Sequence, residues 1–465
     1  MTISRTALAA AAAALACTSV WVGRATLRRI LGDAVVTAQE LWLRPESLKT
    51  YVSGFCPWTC AVVLVAVVGG YFVCVLLFTP MDRVRLLGEL GYVPDGKVDM
   101  KEMSKLVQRR RQTGDVPPVY PNGWFGILES RSVTPGNVRG VSVLGLDLAV
   151  FRETEGAVHV VDAYCPHQGA NMAVGGRVHG RCLECPFHGW SFDGATGKCS
   201  DIPYCDNNSI PSLAKVKSYP VLERNGFVYM WYHAEGIEPS WTPPVIDEIH
   251  TGQWTWRGRT EHVVNAHIQE IPENGADVAH LKAVHGACLL SGIDLGRVYD
   301  NCWSFSEHLW NAQWTPNSEP DERHIATIHL THHLTAFGFR VSLFNMKVLA
   351  RQIGPGIVYL TFETPFGRGA FLQALTPVGP LMQRMVHHIY MERRIPTIIA
   401  KFYLYGEATM FERDIMIWNN KRYASKPVLV KSKEDALVAQ YRRWYSQFYS
   451  EHSPRFTLHK DTLDW

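Results

Sequence analysis

Residues 165–188 read CPHQGANMAVGGRVHGRCLECPFH, and this stretch decides how the rest of the chain is read. It offers two mixed pairs of thiol and imidazole, Cys165 with His167 and Cys185 with His188, with 17 residues between the pairs. Two cysteines and two histidines can bind zinc, or they can hold a two-iron, two-sulfur cluster in which cysteines ligate one iron and histidines the other. Zinc fingers set Cys close to Cys and His close to His. Here each short loop carries one of each, which favours two loops closing over a binuclear cluster from opposite sides. Glycines at 169, 175, 176, 180 and 189 suit the tight turns such loops need.

The pattern CxHx17CxxH resembles the Rieske iron-sulfur motif. Respiratory-chain forms carry a bridging cysteine pair at the positions held here by Ala170 and Phe187. Without that pair the motif resembles the ferredoxin and oxygenase forms, so the cluster is expected to feed electrons to something else.

At 465 residues and 47% hydrophobic content the chain can bury cores in two or three domains. A net charge of +3 with 19% charged residues indicates no nucleic-acid partner. The 11 cysteines form no secreted-type framework, and a reducing compartment fits them. From Phe55 to Thr79 about 25 residues pass without a charge, matching a bilayer. A single transmembrane helix is expected there, with Tyr51 and Trp58 at one end and Arg83 and Arg85 at the other as interfacial anchors. An earlier apolar run, Ala7 to Val22 between Arg5 and Arg24, fits a signal sequence, a second span or an alanine-rich helix. Positive charge flanks the main span on both sides, so the orientation rule does not decide. A chain drawing on NAD(P)H is expected at the endoplasmic reticulum, facing the cytosol.

The fold expected is α+β. Residues 1–54 form an N-terminal segment and 55–79 the transmembrane helix. Residues 80–118 form a linker holding the basic run Arg109 to Arg111, and its Pro and Gly cluster from Val116 to Gly123 marks a boundary. Residues 119–235 read as an all-β domain, with VSVLGLDLAVF (141–151), AVHVVDAY (157–164) and GFVYMWY (226–232) as strands. Residues 236–465 read as a catalytic domain: a helical segment near 265–285, strand-like runs at 324–334, 339–350, 357–366 and 385–393, then a long helix from about Ile398 to Asn420. An antiparallel sheet wrapped on that helix, of the helix-grip type, would enclose a cavity for an apolar ligand.

A second site lies in QEIPENGADVAHLKAVHG (269–286). His280 follows Asp277 by three residues, so the carboxylate can orient the imidazole from the same face of a helix. His285 follows His280 by five, which in a regular helix turns it away. Binding one metal with both requires the helix to end or bulge between them, and Gly286 suits an ending. An acidic third ligand would complete the facial triad of non-heme iron(II). Glu407, Glu412 and Asp414 are candidates, and Asp414 is favoured because DIMIW resembles the segment that supplies the carboxylate in such sites. His329, His332, His333, His387 and His388 read as cavity wall or hydrogen-bonded groups, and His179 as solvent-facing.

With CPHQGA, CPFHGW and ENGADVAHLKAVH in one chain, the sequence resembles the catalytic subunits of Rieske non-heme iron oxygenases over roughly residues 119–450. The apolar span before the motif, HGWSFDGATGKCSDIPY after it and DIMIWNNKRYASKPVLVKSKEDALVAQYRRWYSQFY near the C-terminus resemble the Neverland-type cholesterol 7-desaturases; the last segment is also similar to bacterial 3-ketosteroid 9-hydroxylases. The resemblance implies a [2Fe-2S] cluster on Cys165, His167, Cys185 and His188, and mononuclear iron on His280, His285 and Asp414. It implies catalytic roles for Asp277 and Asn274, electrons from NAD(P)H through a separate reductase, and O2 as oxidant. It further implies a head-to-tail homotrimer in which Asp277 bonds His188 of the partner subunit. The reaction so implied is removal of two hydrogens across C7 and C8 of cholesterol, in ecdysteroid or dafachronic acid synthesis. A steroid hydroxylase of the same chemistry, a Rieske electron carrier and a zinc-stabilised binding module are the alternatives.

Overall fold

The computed structural model describes residues 57–92, 98–110, 116–206 and 209–456, without the side chains of 57–64 and 108–110. The run from Ala7 to Val22, Tyr51, the Trp58 side chain and the basic run Arg109 to Arg111 lie outside what is described. The chain divides into two compact units, residues 1–79 with 396–398, and residues 80–395 with 399–465.

In the first unit, helix α1 (Pro57–Phe78) occupies the apolar run, and its described side chains Val65, Tyr71, Phe72 and Phe78 are exposed. Among the described residues no helix is long and apolar enough to cross a membrane. The span expected over 55–79 is therefore met as a helix and not as a described membrane crossing.

In the second unit the segment read as a linker contributes strand β1 (Met81–Arg85) and helix α2 (Met100–Arg110). Ten short strands follow: β2 (Gly123–Glu129), β3 (Val138–Val143), β4 (Leu146–Arg152), β5 (Val158–Asp162), β6 (Arg177–His179), β7 (Cys182–Glu184), β8 (Ser191–Asp193), β9 (Cys199–Asp201), β10 (Val221–Arg224) and β11 (Phe227–Tyr232). They form three antiparallel sheets, β3-β4-β5, β6-β7-β8-β9 and β10-β11-β2. The β3/β4 hairpin turns through Leu144 and Gly145, both at positive φ (56° and 72°), the geometry that matches strand twist in a two-residue loop. The Cys165–His167 loop joins β5 to β6, and the Cys185–His188 loop joins β7 to β8.

The remaining elements are α3 (Asp247–His250), β12 (Trp254–Val264), α4 (Glu270–Glu273), α5 (His280–His285), β13 (Ser306–Pro316), β14 (Ile325–Ala336), β15 (Phe339–Ile353), β16 (Ile357–Thr364), β17 (Gly367–Gly379), β18 (Met382–Glu392), α6 (Thr397–Trp418) and α7 (Lys433–Tyr445). One eight-stranded sheet, ordered β1-β12-β18-β17-β16-β15-β14-β13, is antiparallel except where β1 runs parallel to β12. On α6, Leu404, Ala408, Phe411, Ile415 and Trp418 are buried at helical spacing, so this stripe faces the protein interior. Two short helices, α4 and α5, replace the single helical segment expected over 265–285.

The β3-β4-β5 and β10-β11-β2 sheets share a core with the large one. Gly126 of β2 lies so close to β17 that a Cβ there would stand 2.8 Å from the Ala374 methyl group, and the Thr376 hydroxyl donates to the Gly126 carbonyl at 3.0 Å. Arg384 of β18 donates to the Ile127 carbonyl at 2.6 Å. At the other end, Arg442 of α7 grips Glu273 of α4 with two bonds of 2.7 and 3.0 Å, a fork-to-carboxylate geometry that fixes α4 ahead of the second site.

Candidate functional site

The two loops of the first site are the same turn built twice. In Cys-Pro-His-Gln-Gly-Ala, the Gly169 N–H donates to the Cys165 carbonyl and the Cys165 N–H to the Ala170 carbonyl, both at 2.9 Å. In Cys-Pro-Phe-His-Gly-Trp, the Gly189 N–H donates to the Cys185 carbonyl at 3.1 Å and the Cys185 N–H to the Trp190 carbonyl at 2.8 Å. Both turns close on a glycine at positive φ, 74° for Gly169 and 75° for Gly189. The thiols are buried among Ala149, Phe151, Met172 and Leu183, whereas His167 and His188 are half-buried with ring centroids 4.6 Å apart. The loops thus present sulfur from below and imidazole from above.

These four residues fit a binuclear cluster. Burial, and after it the neighbouring Cys185 thiol, pushes the Cys165 thiol up to about 11, so the thiolates a cluster needs are favoured only beside cationic metal. His167 stacks on Trp190 at 4.6 Å and 5°, and its Nδ1 is buried without a hydrogen-bond partner. His179 is exposed and ion-paired with Glu184 at 3.0 Å, as its spacing suggested. Cys182 and Cys199 are both free thiols.

At the second site His280, His285 and Asp414 bring their donor atoms within 4.8 Å of one another. The His285 Nε2 lies 3.3 Å from Asp414 Oδ1, and the His280 and His285 rings stand edge to face at 5.0 Å. Asp414 Oδ1 is buried without a hydrogen-bond donor, an arrangement costly in a protein unless something cationic sits beside it. Two imidazoles and one carboxylate on one side of a cavity match the donor set of non-heme iron(II).

Two expectations about this helix are corrected. It neither ends nor bulges between the histidines: α5 runs from His280 to His285 without a break, and Gly286 keeps right-handed helical angles (φ −71°, ψ −37°). His280 is the first residue of the helix, and its ring folds back onto the Asp277 carbonyl, which brings it to the His285 ring. Nor does the Asp277 carboxylate orient the His280 imidazole. It accepts the His280 backbone N–H at 3.3 Å, and the imidazole Nδ1 donates to the Asp277 main-chain carbonyl. That bond commits Nδ1 as the protonated nitrogen and leaves Nε2 as the lone-pair donor.

Of the other acidic candidates, Glu412 points elsewhere. It is 2% exposed and paired with Arg83 at 3.0 Å, His262 at 3.2 Å and Arg85 at 3.7 Å, which ties α6 to β1 and β12. Glu407 precedes Asp414 by two turns on the same face of α6 and faces the cavity. Gln373 of β17 donates to it at 2.8 Å. Burial pushes its carboxyl up to about 7; the His285 ring opposes that rise and the Asp414 carboxylate reinforces it.

Arg413 carries no site expectation from the sequence, yet it fixes the site. It is fully buried, and its guanidinium donates to the carbonyls of Cys288 (2.7 Å), Ala287 (2.9 Å), Gly292 (3.0 Å) and Val284 (3.4 Å). The carbonyls freed where α5 ends are thereby held against the residue next to Asp414. The signal was its place in Glu-Arg-Asp inside an otherwise apolar helix.

The donor cluster opens on a cavity of about 220 Å³ lined by Asn274, Trp310, Leu330, Val348, Leu360 and Phe371 among others. A second cavity of about 370 Å³ shares Trp310, Met346, Phe371, Glu407 and Met410 with it. Two of its polar wall groups, His308 and His332, are spent on each other and on the main chain. The Leu289 N–H donates to His308 Nε2 at 3.1 Å, His308 Nδ1 meets His332 Nε2 at 2.7 Å, and His332 Nδ1 meets the Phe344 carbonyl at 3.1 Å. Only one set of tautomers satisfies that chain, and in it both rings are neutral. Burial holds His308 down to about 3 and His332 down to about 4.

Comparison with known proteins adds the following. The Rieske [2Fe-2S] domain model matches residues 123–220, and the 3-ketosteroid 9alpha-hydroxylase C-terminal domain model matches residues 230–449. The cholesterol 7-desaturase nvd of Xenopus laevis is 46% identical over 96% of this chain and 95% of its own. The cholesterol 7-desaturase of Caenorhabditis elegans is 43% identical over 81% and 89%. The oxygenase component of 3-ketosteroid-9-alpha-monooxygenase from Rhodococcus rhodochrous is 30% identical over 73% and 87%. The structure of NdmA from Pseudomonas putida CBB5 with caffeine superposes with a TM-score of 0.52 at 16% identity, covering 73% of this chain and 96% of that one, which shows the shared fold.

Proposed function

Since this chain belongs to the Rieske oxygenases, in the branch of the cholesterol 7-desaturases, we propose that it desaturates cholesterol at C7 and C8, with the cluster on Cys165, His167, Cys185 and His188 and iron on His280, His285 and Asp414. It is an oxidoreductase whose cofactors are a [2Fe-2S] cluster and a mononuclear iron served by an electron-transfer partner. The carrying observation is that the three donor groups of the second site open directly on an apolar cavity.

When bound, the iron supplies the activation of O2 that hydrogen removal needs, with electrons arriving through the cluster from NAD(P)H by way of a reductase. The balance is one sterol, one O2, two electrons and two protons going to one desaturated sterol and two waters. The chain's own residues do the rest. Trp310, Met346, Phe371 and Met410 bind the rigid apolar ring system and exclude water. The saturated His308–His332 pair offers ring faces and no free donor, which suits a hydrocarbon. Asp277 and Arg413 hold the two ends of α5, and so the placement of both imidazoles. Glu407 lines the cavity beside the donor groups, and burial raises its carboxyl, which suits it to the proton demand of the reaction.

Further parts of this reading rest on fold and chemistry together. We take the half-buried Asp277 as the contact to His188 of the partner subunit in a homotrimer; one of its carboxylate oxygens accepts the His280 N–H while the side chain stays partly accessible. We take helix α1, with its exposed apolar side chains, as a membrane anchor at the endoplasmic reticulum, with the catalytic chemistry on the cytosolic side. A role in steroid hormone synthesis follows from the product. The test is a sterol assay: membranes carrying the chain, with cholesterol, NADPH and air, analysed by mass spectrometry. Desaturation gives a product lighter by two hydrogens that the His280→Ala control lacks; a product heavier by one oxygen would move the assignment to a steroid hydroxylase.

A further inference from the structure

Phe337 and Phe339 stand at the tip of the β14/β15 hairpin, 73% and 78% exposed. The two-residue loop is Phe337–Gly338, with φ of 51° and 80°, a geometry usually filled by Asn-Gly or Gly-Gly. A phenylalanine held in the left-handed region costs about 1 kcal/mol, and in water its exposed ring returns nothing. The tip is nonetheless ordered: Phe337 stacks on Phe305 at 4.4 Å and 7°, and its N–H donates to the Phe305 carbonyl at 2.7 Å. Phe305, Leu290 and Phe402 are exposed on the outside and also line the outer cavity. The apolar surface is therefore continuous with the lining of the outer cavity, which shares Glu407 and Met410 with the cavity of the three donor groups.

We propose that this patch is the mouth of the sterol passage and docks into the surface of a lipid bilayer, so that substrate enters from the membrane without crossing water. The inference rests on reading the substrate as a sterol. The occupant is set by chemistry: a ligand of this kind resides in bilayers, the patch is aromatic and aliphatic, and the exposed Arg340 beside Phe339 is placed to meet headgroups while the rings sit below them. Exposed apolar patches continuous with a ligand passage mark an interaction site rather than ordinary surface.

The deciding experiment uses the full chain in phosphatidylcholine vesicles with a photoreactive side chain, Phe339→benzoylphenylalanine, and Val428→benzoylphenylalanine as the control at a position 97% exposed. Lipid adducts at 339 and none at 428 are expected. Equal adducts at both, adducts to a second copy of the protein alone, or no adduct at 339 would overturn the docking. A second arm compares cholesterol presented in vesicles with cholesterol delivered by cyclodextrin. The double variant Phe337→Ser, Phe339→Ser is expected to lose about 10-fold in rate from vesicles, a modest share of the apolar burial removed, and to keep the wild-type rate from cyclodextrin. An equal loss from both sources would also overturn it. Inactivity of the wild type toward cholesterol from both vesicles and cyclodextrin would instead reject the sterol reading, and the cross-linking result would still decide the docking.

Discussion

The Asp277 carboxylate accepts the backbone N–H of His280, while the main-chain carbonyl of the same Asp277 takes the His280 imidazole proton. One residue thus starts helix α5 and fixes the tautomer of a proposed iron ligand, and only the first task uses its side chain. Asp277→Asn keeps an oxygen for the backbone bond, so stability is expected to change by no more than about 0.5 kcal/mol, with both metals retained. Turnover is expected to fall at least about 10-fold because the charge at the proposed subunit contact is gone. Calorimetry, iron analysis and steady-state rates separate these effects; loss of the mononuclear iron in this variant would show that the carboxylate serves the ligands instead.

Arg413 is expected to be worth more to the site than its lack of any ligand role suggests. Arg413→Met strips the donors from four main-chain carbonyls, three of them in buried bonds, at a cost of about 3 kcal/mol or more. The variant should keep the visible absorbance of the cluster and lose the mononuclear iron. Full iron content in a folded Arg413→Met protein would remove Arg413 from the account.

Glu407 gives the metal-free protein a pH signature. Its folded-state value, about 7, lies above the ordinary 4.5, so the folded chain binds the proton more tightly than the unfolded one. Stability is then fully present below about pH 4.5 and lost as pH rises toward about 7, by no more than about 3 kcal/mol. Urea denaturation of the metal-free protein across this range should show the slope, and Glu407→Gln should flatten it.

His308 and His332 act with the opposite sign. Their folded values, about 3 and about 4, lie below the ordinary 6.5, so the unfolded chain takes up protons first. The stability they confer is complete above about pH 6.5 and is lost as pH falls through about 4 for His332 and about 3 for His308, on the order of 3 to 5 kcal/mol per ring. His332→Gln, which keeps a donor and an acceptor, should make the acid limb of the stability curve shallower; an unchanged limb would place its origin elsewhere.

The cluster loops were legible because all four ligands fall within one short stretch and each turn needs its glycine. The histidine pair was legible for the same reason, but not the way α5 presents it, since spacing carries no information about a helix that begins at its own ligand. Asp414 lies far away in sequence and was reached through resemblance; the structure separates it from Glu412 by the arginines and His262 that occupy the latter. Strand β17 escaped notice because it is buried on both faces and does not alternate, and β1 because five residues with three charges read as a linker. β13 did alternate, with His308, Trp310 and Ala312 on one face, and could have been found. Arg413 was hidden by the habit of placing arginine at the surface.

The most direct test of the central claim is the fate of hydrogen at the reacting carbons. Cholesterol labelled with deuterium at C7 and C8 should be converted, under heavy-isotope oxygen, to a product that has lost one deuterium from each carbon and carries no labelled oxygen. A product that keeps the C8 deuterium and gains a heavy oxygen atom would contradict desaturation and leave the same site performing hydroxylation.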